Sequence, residues 1–338
     1  MDYLLYNIGI DFAPFCFLSQ TEGGFFFMKL RILFALILVL SFLSGCRDQK
    51  ASVREYSKEG RWEILNFDGR AFVLDSDNAN VIIRGKKGTK EATIRYIKKV
   101  VWNADDKTDL KKEFSKSDLE KTFDDMEIKL ENDLDRVYIK ARAYSREAIL
   151  ENTLSNPKKS FEFEIYLPEN SKIFVQNSNG NVSISKIQRG SIYIVNGKGN
   201  VTVTDAKASI EVKNGEGNVA LDYISGNFSI NNGNGNINLK VEKTGTFTVT
   251  GTKGNITAKV DALESSTMSS LITLGEGDIN FFVGKDVKAR IKVNAKGRLK
   301  SDFKMIRVSD YHYINIDSGI NSIEIVNYKG NIRVAKDY

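Results

Sequence analysis

The sequence predicts an all-β fold whose short strands wind into a solenoid, a right-handed β-helix-like coil with a short helix inserted near its N-terminal end. Three observations carry that prediction. A Gly-Asn-apolar unit recurs at a spacing of 18 or 19 residues from Gly180 to Gly254. A pair of apolar residues, two positions apart, stands at a fixed distance ahead of each unit. The 26 glycines fall mainly in this second half and only three prolines occur, so the glycines mark recurring turns rather than disorder.

The units run in order along the chain. Gly180-Asn181-Val182 is followed by Gly199-Asn200-Val201, Gly217-Asn218-Val219, Gly235-Asn236-Ile237 and Gly254-Asn255-Ile256. Gly277-Asp278-Ile279 and Gly330-Asn331-Ile332 complete the set. Eight residues before the turn residue stands the first member of an apolar pair: Ile173/Val175, Ile192/Ile194, Ile210/Val212, Phe228/Ile230, Phe247/Val249 and Ile323/Ile325. The Asp278 copy is degraded to Ser270/Ile272, and an early segment, Phe72/Leu74 before Asn80, Val81 and Ile83, fits the same template.

Apolar residues two apart with polar ones between them make a half-buried strand, because successive side chains point to opposite faces. Each repeat therefore holds two strands joined by a turn, and Gly and Asn supply the positive-φ conformations that turns need. The structural turn positions are Asn80, Asn181, Asn200, Asn218, Asn236, Asn255, Asp278 and Asn331. One such unit cannot bury its own apolar face, so neighbours must stack on it. Stacking at about 4.8 Å would align Val182, Val201, Val219, Ile237, Ile256 and Ile279 as one inward row. The asparagines would stack as well, each side-chain amide bonding to the next. A β-sandwich of hairpins is the structural alternative.

Between Gly85 and Pro168 the repeat is lost. Residues 92–101 read as a strand, 108–123 as a short helix, and 137–141 and 161–167 as strands again. This stretch is expected to elaborate the N-terminal end of the same fold, with a separate small domain as the alternative. The regular repeats span 171–282 within a domain running from 61 to 338.

The first 46 residues carry a different signal. Lys29 and Arg31 follow Met28, residues 32–42 are apolar except for Ser41, and Leu43-Ser44-Gly45-Cys46 closes the run. A positive start, a short apolar stretch and a small-residue exit make a secretory signal over 28–45. The run falls short of the roughly 20 residues of a transmembrane helix. The Leu-Ser-Gly-Cys ending resembles the bacterial lipobox, which implies acylation of Cys46 and a membrane partner through the lipid. An ordinary cleaved signal and an uncleaved anchor are the alternatives. Residues 1–27 lack positive charge and are expected to be a mis-called start, and 46–60 to be a linker after the anchor.

Composition excludes several function classes. The net charge of +6 is spread along the chain without a long basic block. It implies a solvated surface, or a weak preference for anionic envelope polymers, and no nucleic-acid partner. Cys16 and Cys46 both precede the folded part, which leaves it without a disulfide or thiolate metal site. His312 is the single histidine, so a serine-nucleophile triad would have to be built on it. Its neighbours Tyr311 and Tyr313 suggest a strand with exposed aromatics, suited to packing or to contact with a sugar.

Other candidate sites read as structural. Calcium would need Asp278 near Glu276, because Asn elsewhere in the series offers a neutral carbonyl where a hard cation prefers anionic oxygens. Asp205 and Asp222 lie one repeat apart, as glycoside cleavage would require, yet they stand six and five residues after their glycines. Gly197-Lys198-Gly199 looks like a phosphate loop, but it opens a strand rather than a helix. No catalytic residue, metal or cofactor is expected.

The Phe72–Asn80–Ile83 unit, the Tyr166-Leu167-Pro168-Glu169 segment and the serial Gly-Asn-apolar units together resemble a bacterial family of adhesin-like proteins with β-strand repeats, akin to the auto-transporter adhesin head (GIN) domain. The likeness covers roughly residues 62–334. It implies an exported, lipid-anchored binding module without defined chemistry, facing a glycan, matrix or envelope-protein partner from the outer membrane, at its surface or its periplasmic side. A periplasmic structural or signalling scaffold is the alternative, and a solenoid carbohydrate-active enzyme the remote one. The chain departs from the family in using Asn where many relatives use Asp, and in a charged insertion over 105–125.

Overall fold

The computed structural model describes residues 52–104, 116–144, 157–264, 267–317 and 319–337. The signal at 28–45, Cys46, residues 1–27 and positions 108–115 of the expected helix lie outside the described residues.

Ahead of the regular repeats come β1 (Ser52–Ile64), β2 (Ala71–Ser76), β3 (Ala79–Lys86), β4 (Ala92–Ala104), helix α1 (Lys116–Asp124), β5 (Glu127–Asn132), β6 (Arg136–Arg142) and β7 (Lys158–Pro168). Residues 52–60, read from the sequence as linker, are thus part of β1. The regular region supplies strands in pairs: β8 (Lys172–Asn179) with β9 (Val182–Ile187), β10 (Ser191–Lys198) with β11 (Val201–Lys207), and β12 (Ser209–Glu216) with β13 (Val219–Ser225). The pairs continue as β14 (Phe228–Asn234) with β15 (Ile237–Lys243), β16 (Phe247–Lys253) with β17 (Ile256–Ala262), and β18 (Ser269–Glu276) with β19 (Ile279–Asp286). The C-terminal part adds β20 (Ala289–Ala295), β21 (Leu299–Ser301), β22 (Met305–Val308), β23 (Tyr311–Ile316), β24 (Asn321–Asn327) and β25 (Ile332–Lys336).

Each pair gives one strand to a 13-stranded sheet and the next to a 12-stranded sheet, and successive pairs stack in parallel. This is the expected solenoid. The stretch that looked interrupted in sequence completes it in space, since β6 and β7 form a rung outside β2–β3. At the other end β20–β21 forms a rung beyond β24–β25, which itself sits between β18–β19 and β20–β21. Antiparallel strands then cap the stack. Strands β4 and β1 lie on β7, β5 on β6, and β23 and β22 on β20. Such caps occupy edges that would otherwise present unpaired backbone groups.

The interior is filled by side-chain rows at the spacing the sequence implies. Val182, Val201, Val219, Ile237, Ile256 and Ile279 pair in register and are buried. A facing row from the other sheet includes Ile173, Ile192, Ile210, Phe228 and Phe247. Phe228 and Phe247 stack at 5.5 Å with an interplanar angle of 11°. Each fully buried member contributes roughly 1.5–3 kcal/mol. The helix is tied to the first rungs by Lys98, whose buried ammonium donates to the carbonyls of Phe123 (2.7 Å) and Met126 (2.6 Å) at the C-terminal end of α1, where a cation also suits the helix dipole.

The two corners of the coil obey different rules. At the corner leading from the 13- to the 12-stranded sheet, equivalent inward positions of the inner rungs all stand nine positions apart, from Phe72 to Val81 through Ile323 to Ile332. The opposite corner varies in length and carries the excursions to β4, α1 and β5 and to β22 and β23.

Two asparagine ladders explain the fixed corner. In the exposed one, the backbone N–H of Asn200 donates to Oδ1 of Asn181 (2.8 Å), that of Asn218 to Asn200 (2.9 Å), and that of Asn236 to Asn218 (2.9 Å). The series starts at Asn80 and passes through Asn255, Asp278 and Asn331 to the N–H of Arg298. The amide-to-amide stack expected at these positions is therefore corrected: the side-chain oxygen accepts from the neighbouring main chain, and a side-chain donor joins it only where Asn331 meets Asp278. From Asn181 onward the residue ahead of each turn residue is glycine, and the close approach of the neighbouring rung requires it. Gly217 has φ +122, and a Cβ there would overlap the carbonyl of Gly199 one rung below.

The amide-to-amide stack exists four positions earlier, inside the coil. Asn177 donates to Asn196 (3.1 Å), Asn196 to Asn214 (3.0 Å) and Asn214 to Asn232 (2.9 Å). The second Nδ2 hydrogen reaches a turn carbonyl, as in Asn214 to Gly217 (3.2 Å) and Asn232 to Gly235 (3.0 Å). All four side chains are buried, so each amide meets its needs from protein partners. At the next two rungs Gly251 and Leu274 take these places, and the Leu274 methyl leans over the space above Gly251.

Replacing Asn214 by Ala should cost about 1–3 kcal/mol, because Asn196 and Asn232 each lose a buried partner. Asn218→Asp, in the exposed acceptor-only ladder, should stay within about 0.5 kcal/mol of the parent. Urea unfolding of the two variants measures both. Equal losses would refute the distinction between the ladders.

Candidate binding face

The outer face of the 13-stranded sheet carries a row of aromatic side chains at the N-terminal end of the coil. Tyr138 on β6, Val73 on β2, Phe174 on β8 and Tyr193 on β10 are in direct register. Their position follows from alternation. Each lies between the two members of an inward apolar pair (Val137/Ile139, Phe72/Leu74, Ile173/Val175 and Ile192/Ile194), so its side chain must point outward. Phe174 is 41% exposed, and Phe174 and Tyr193 stand 6.0 Å apart at 45°.

Polar groups brace both ends of this row. Lys213 donates to the Tyr193 hydroxyl (3.2 Å), stands 5.2 Å from the ring centroid and pairs with Glu211 at 2.8 Å. The bond to Glu211, then that to Tyr193, holds the Lys213 ammonium above its ordinary pKa. At the other end Tyr138 donates to Asp75 (3.2 Å), Arg142 pairs with Asp75 at 2.6 Å, and Arg136 lies 5.9 Å from the Tyr138 centroid. Burial, and then the Asp75 charge, push the Tyr138 phenol above its usual range. A groove of about 480 Å³ runs between these groups, with Gln176 beside Phe174. The result is an aromatic shelf on paired strands with hydrogen-bonding groups at its margins, a surface suited to stacking and recognition.

The residues singled out in the sequence fall elsewhere. The turn series forms the exposed ladder described above. Asp278 accepts from the main chain and side chain of Asn331 (2.8 and 3.1 Å), and Glu276 sits between Lys329 (2.8 Å) and Lys253 (3.9 Å). Asp222 faces outward and pairs with Lys240 at 3.0 Å, whereas Asp205 occupies a bulge at φ 50 and is held by Gln188. The register matches Asp222 with Thr204, so the two carboxylates do not share a rung position. His312 lies on β23, opposite Val293 and Arg307. Its neighbour Tyr311 packs under the Lys292 ammonium, 4.0 Å from the ring centroid. Lys198, in the Gly-Lys-Gly turn, pairs with Glu216 of the next rung at 3.1 Å.

The Asp75→Asn variant tests the electrostatics of the shelf. Removing a negative neighbour makes the phenolate less costly, so the Tyr138 pKa should fall while burial still holds it above the ordinary value. Tyrosine-selective NMR titration reads this directly. An unchanged Tyr138 would refute the coupling.

No curated protein matches the chain. Among solved structures, the chain is similar to a candidate cell adhesion protein from Clostridium sporogenes (12% identity, 83% of this chain and 100% of that one, TM-score 0.28). It is also similar to a candidate lipid binding protein from Parabacteroides distasonis (8% identity, 82% and 96%, TM-score 0.38) and a candidate adhesin from Bacteroides fragilis (8% identity, 83% and 97%, TM-score 0.31). A family model covers residues 72–335, from the first inward pair into the last strand, and on that match the chain belongs to the Toastrack DUF4097 family.

Proposed function

We propose that this protein is a non-catalytic binding module of the bacterial envelope, held to a membrane by lipid on Cys46, which presents the aromatic shelf of the 13-stranded sheet to a glycan. The observation that carries this reading is the Tyr138–Phe174–Tyr193 row, set in register across strands and bordered by Asp75, Gln176 and Lys213. Pyranose rings present a face of C–H groups that packs on an aromatic ring, while their rim hydroxyls need donors and acceptors at the margin. The shelf supplies both. It is also pre-ordered by the coil beneath it, so little side-chain freedom is lost on binding. The non-catalytic reading is supported by the separation of Asp205 from Asp222 and by the engagement of Asp278 and Glu276 in other contacts.

Three measurements test the reading. A glycan array probed with the full chain should give signals that fall at least tenfold in the double variant Phe174→Ala/Tyr193→Ala, with thermal unfolding little changed because both rings lie on the outer face. Signals equal to the parent's would remove the shelf from the function. Protease shaving of intact cells then locates the module. Cleavage with a periplasmic control protein left intact fits an adhesin-like display, and protection would turn the search to a periplasmic scaffold. Cys46→Ser should release unacylated, soluble protein, and retention in the membrane would point to an uncleaved anchor.

A further inference from the structure

On the other sheet, at the corner that carries the excursions, the fold gathers positive charge that is scattered in the sequence. A groove of about 450 Å³ is lined by Arg61, Arg84, Lys86, Arg95 and Lys186, together with the hydroxyls of Thr93 and Tyr166. A second groove, of about 630 Å³, shares Lys86 and adds Lys87, Lys90, Arg189 and Lys207. The carboxylates that line these grooves or touch their lining residues are Glu63, Glu164, Asp68, Glu169 and Asp205. Nine cations against five carboxylates leave an excess of four charges, from a chain whose whole net charge is +6.

Most of this charge is left unneutralised. Lys86, Lys87, Lys90, Lys186, Arg189 and Lys207 form no ion pair among the described residues, whereas Lys198, Lys240, Lys259, Lys292 and Lys329 each sit on a carboxylate. Arg84 is different again. Glu164 (2.6 Å) and the Tyr166 hydroxyl (3.2 Å) fix its guanidinium, and the bond to Glu164 keeps it firmly charged. Like charges gathered on one face repel one another, most strongly within a Debye length of about 8 Å, so an anion laid along the grooves would offset that repulsion.

We propose that this corner binds a linear polyanion, a glycan chain bearing repeated sulfate, phosphate or carboxylate groups, independently of the aromatic shelf. Extent and shape select this ligand class. From Arg61 on β1 to Lys207 on β11 the cations cross six adjacent strands, about 24 Å at roughly 4.8 Å per strand. A single small anion cannot span that distance, whereas a chain can. The fixed Arg84 lines a concavity rather than a raised plane, which a polymer strand can enter and a flat bilayer surface cannot.

The test uses the full chain carrying Cys46→Ser, so that no lipid confounds binding, with dextran sulfate and neutral dextran as probes. Vesicles of phosphatidylcholine with about a third phosphatidylglycerol form a third arm. Dextran sulfate should bind, with an affinity that falls steeply with salt as counterion release requires, and neutral dextran should not. Lys86→Gln/Arg95→Gln/Lys186→Gln should weaken binding at least tenfold and flatten the salt dependence. The matched control Lys285→Gln/Lys288→Gln/Lys304→Gln should change it less than twofold. Lys86→Arg/Lys186→Arg should retain binding, and so should Phe174→Ala/Tyr193→Ala, which separates this site from the shelf. Absence of dextran sulfate binding, equal losses in the two triple variants, or preference for the vesicles would each overturn the proposal.

Discussion

The coil depends on one contact repeated at every rung, the donation of a main-chain N–H to the side-chain oxygen of the turn residue on the neighbouring rung. It fixes the vertical distance between turns and ties each turn to its neighbours. From Gly180 onward it also brings adjacent backbones so close that the preceding position must be glycine. With this corner locked, the interval between inward residues on its two sides is constant from the Phe72 rung to the Ile323 rung. Among these inner rungs, length variation is displaced to the opposite corner, where the excursions leave and return. The aromatic shelf and the cationic corner both owe their geometry to that division, since a rigid edge keeps the strands in register while a variable edge supplies loops.

Asparagine serves this protein twice, for different reasons. In the exposed ladder the turn residue serves as an acceptor, so Asp278 can stand where the other rungs carry Asn. In the buried ladder each side chain must accept from one neighbour and donate to the next and to a carbonyl. A carboxylate would lack the donor and would place charge in a desolvated row. Where the series stops, at Gly251 and Leu274, an apolar pair takes over, which is consistent with the small net gain of a satisfied polar network over a well-packed apolar one.

What was legible in the sequence was local and periodic. The alternation around Ile192 and Ile194, the Gly-Asn turns and the inward row from Val182 to Ile279 follow from the two-residue period of a strand. The buried ladder was equally regular, always four positions before the turn residue, but polar residues near a glycine read as ordinary turn composition. The outward aromatics were marked by their place between paired apolar residues. Other features were beyond a linear reading. Strand β1 lacks the repeat and is held by pairing with β4, so its first part looks like linker. The rung β6–β7 pairs across a long separation, and nothing between Gly85 and Pro168 announces it. The cationic corner collects residues from 61 to 207, whose proximity only the stacking creates.

The order in which the rungs stack has a kinetic meaning. A coil wound strictly in chain order would end on its last-made turn, free to fray and open to further growth by end-to-end addition. Here β24–β25 lies as a keystone between β18–β19 and β20–β21, so the outermost rung and its antiparallel cap rest on strands that come after them in the sequence. Loosening this end therefore requires displacing an interior layer rather than peeling an outer one.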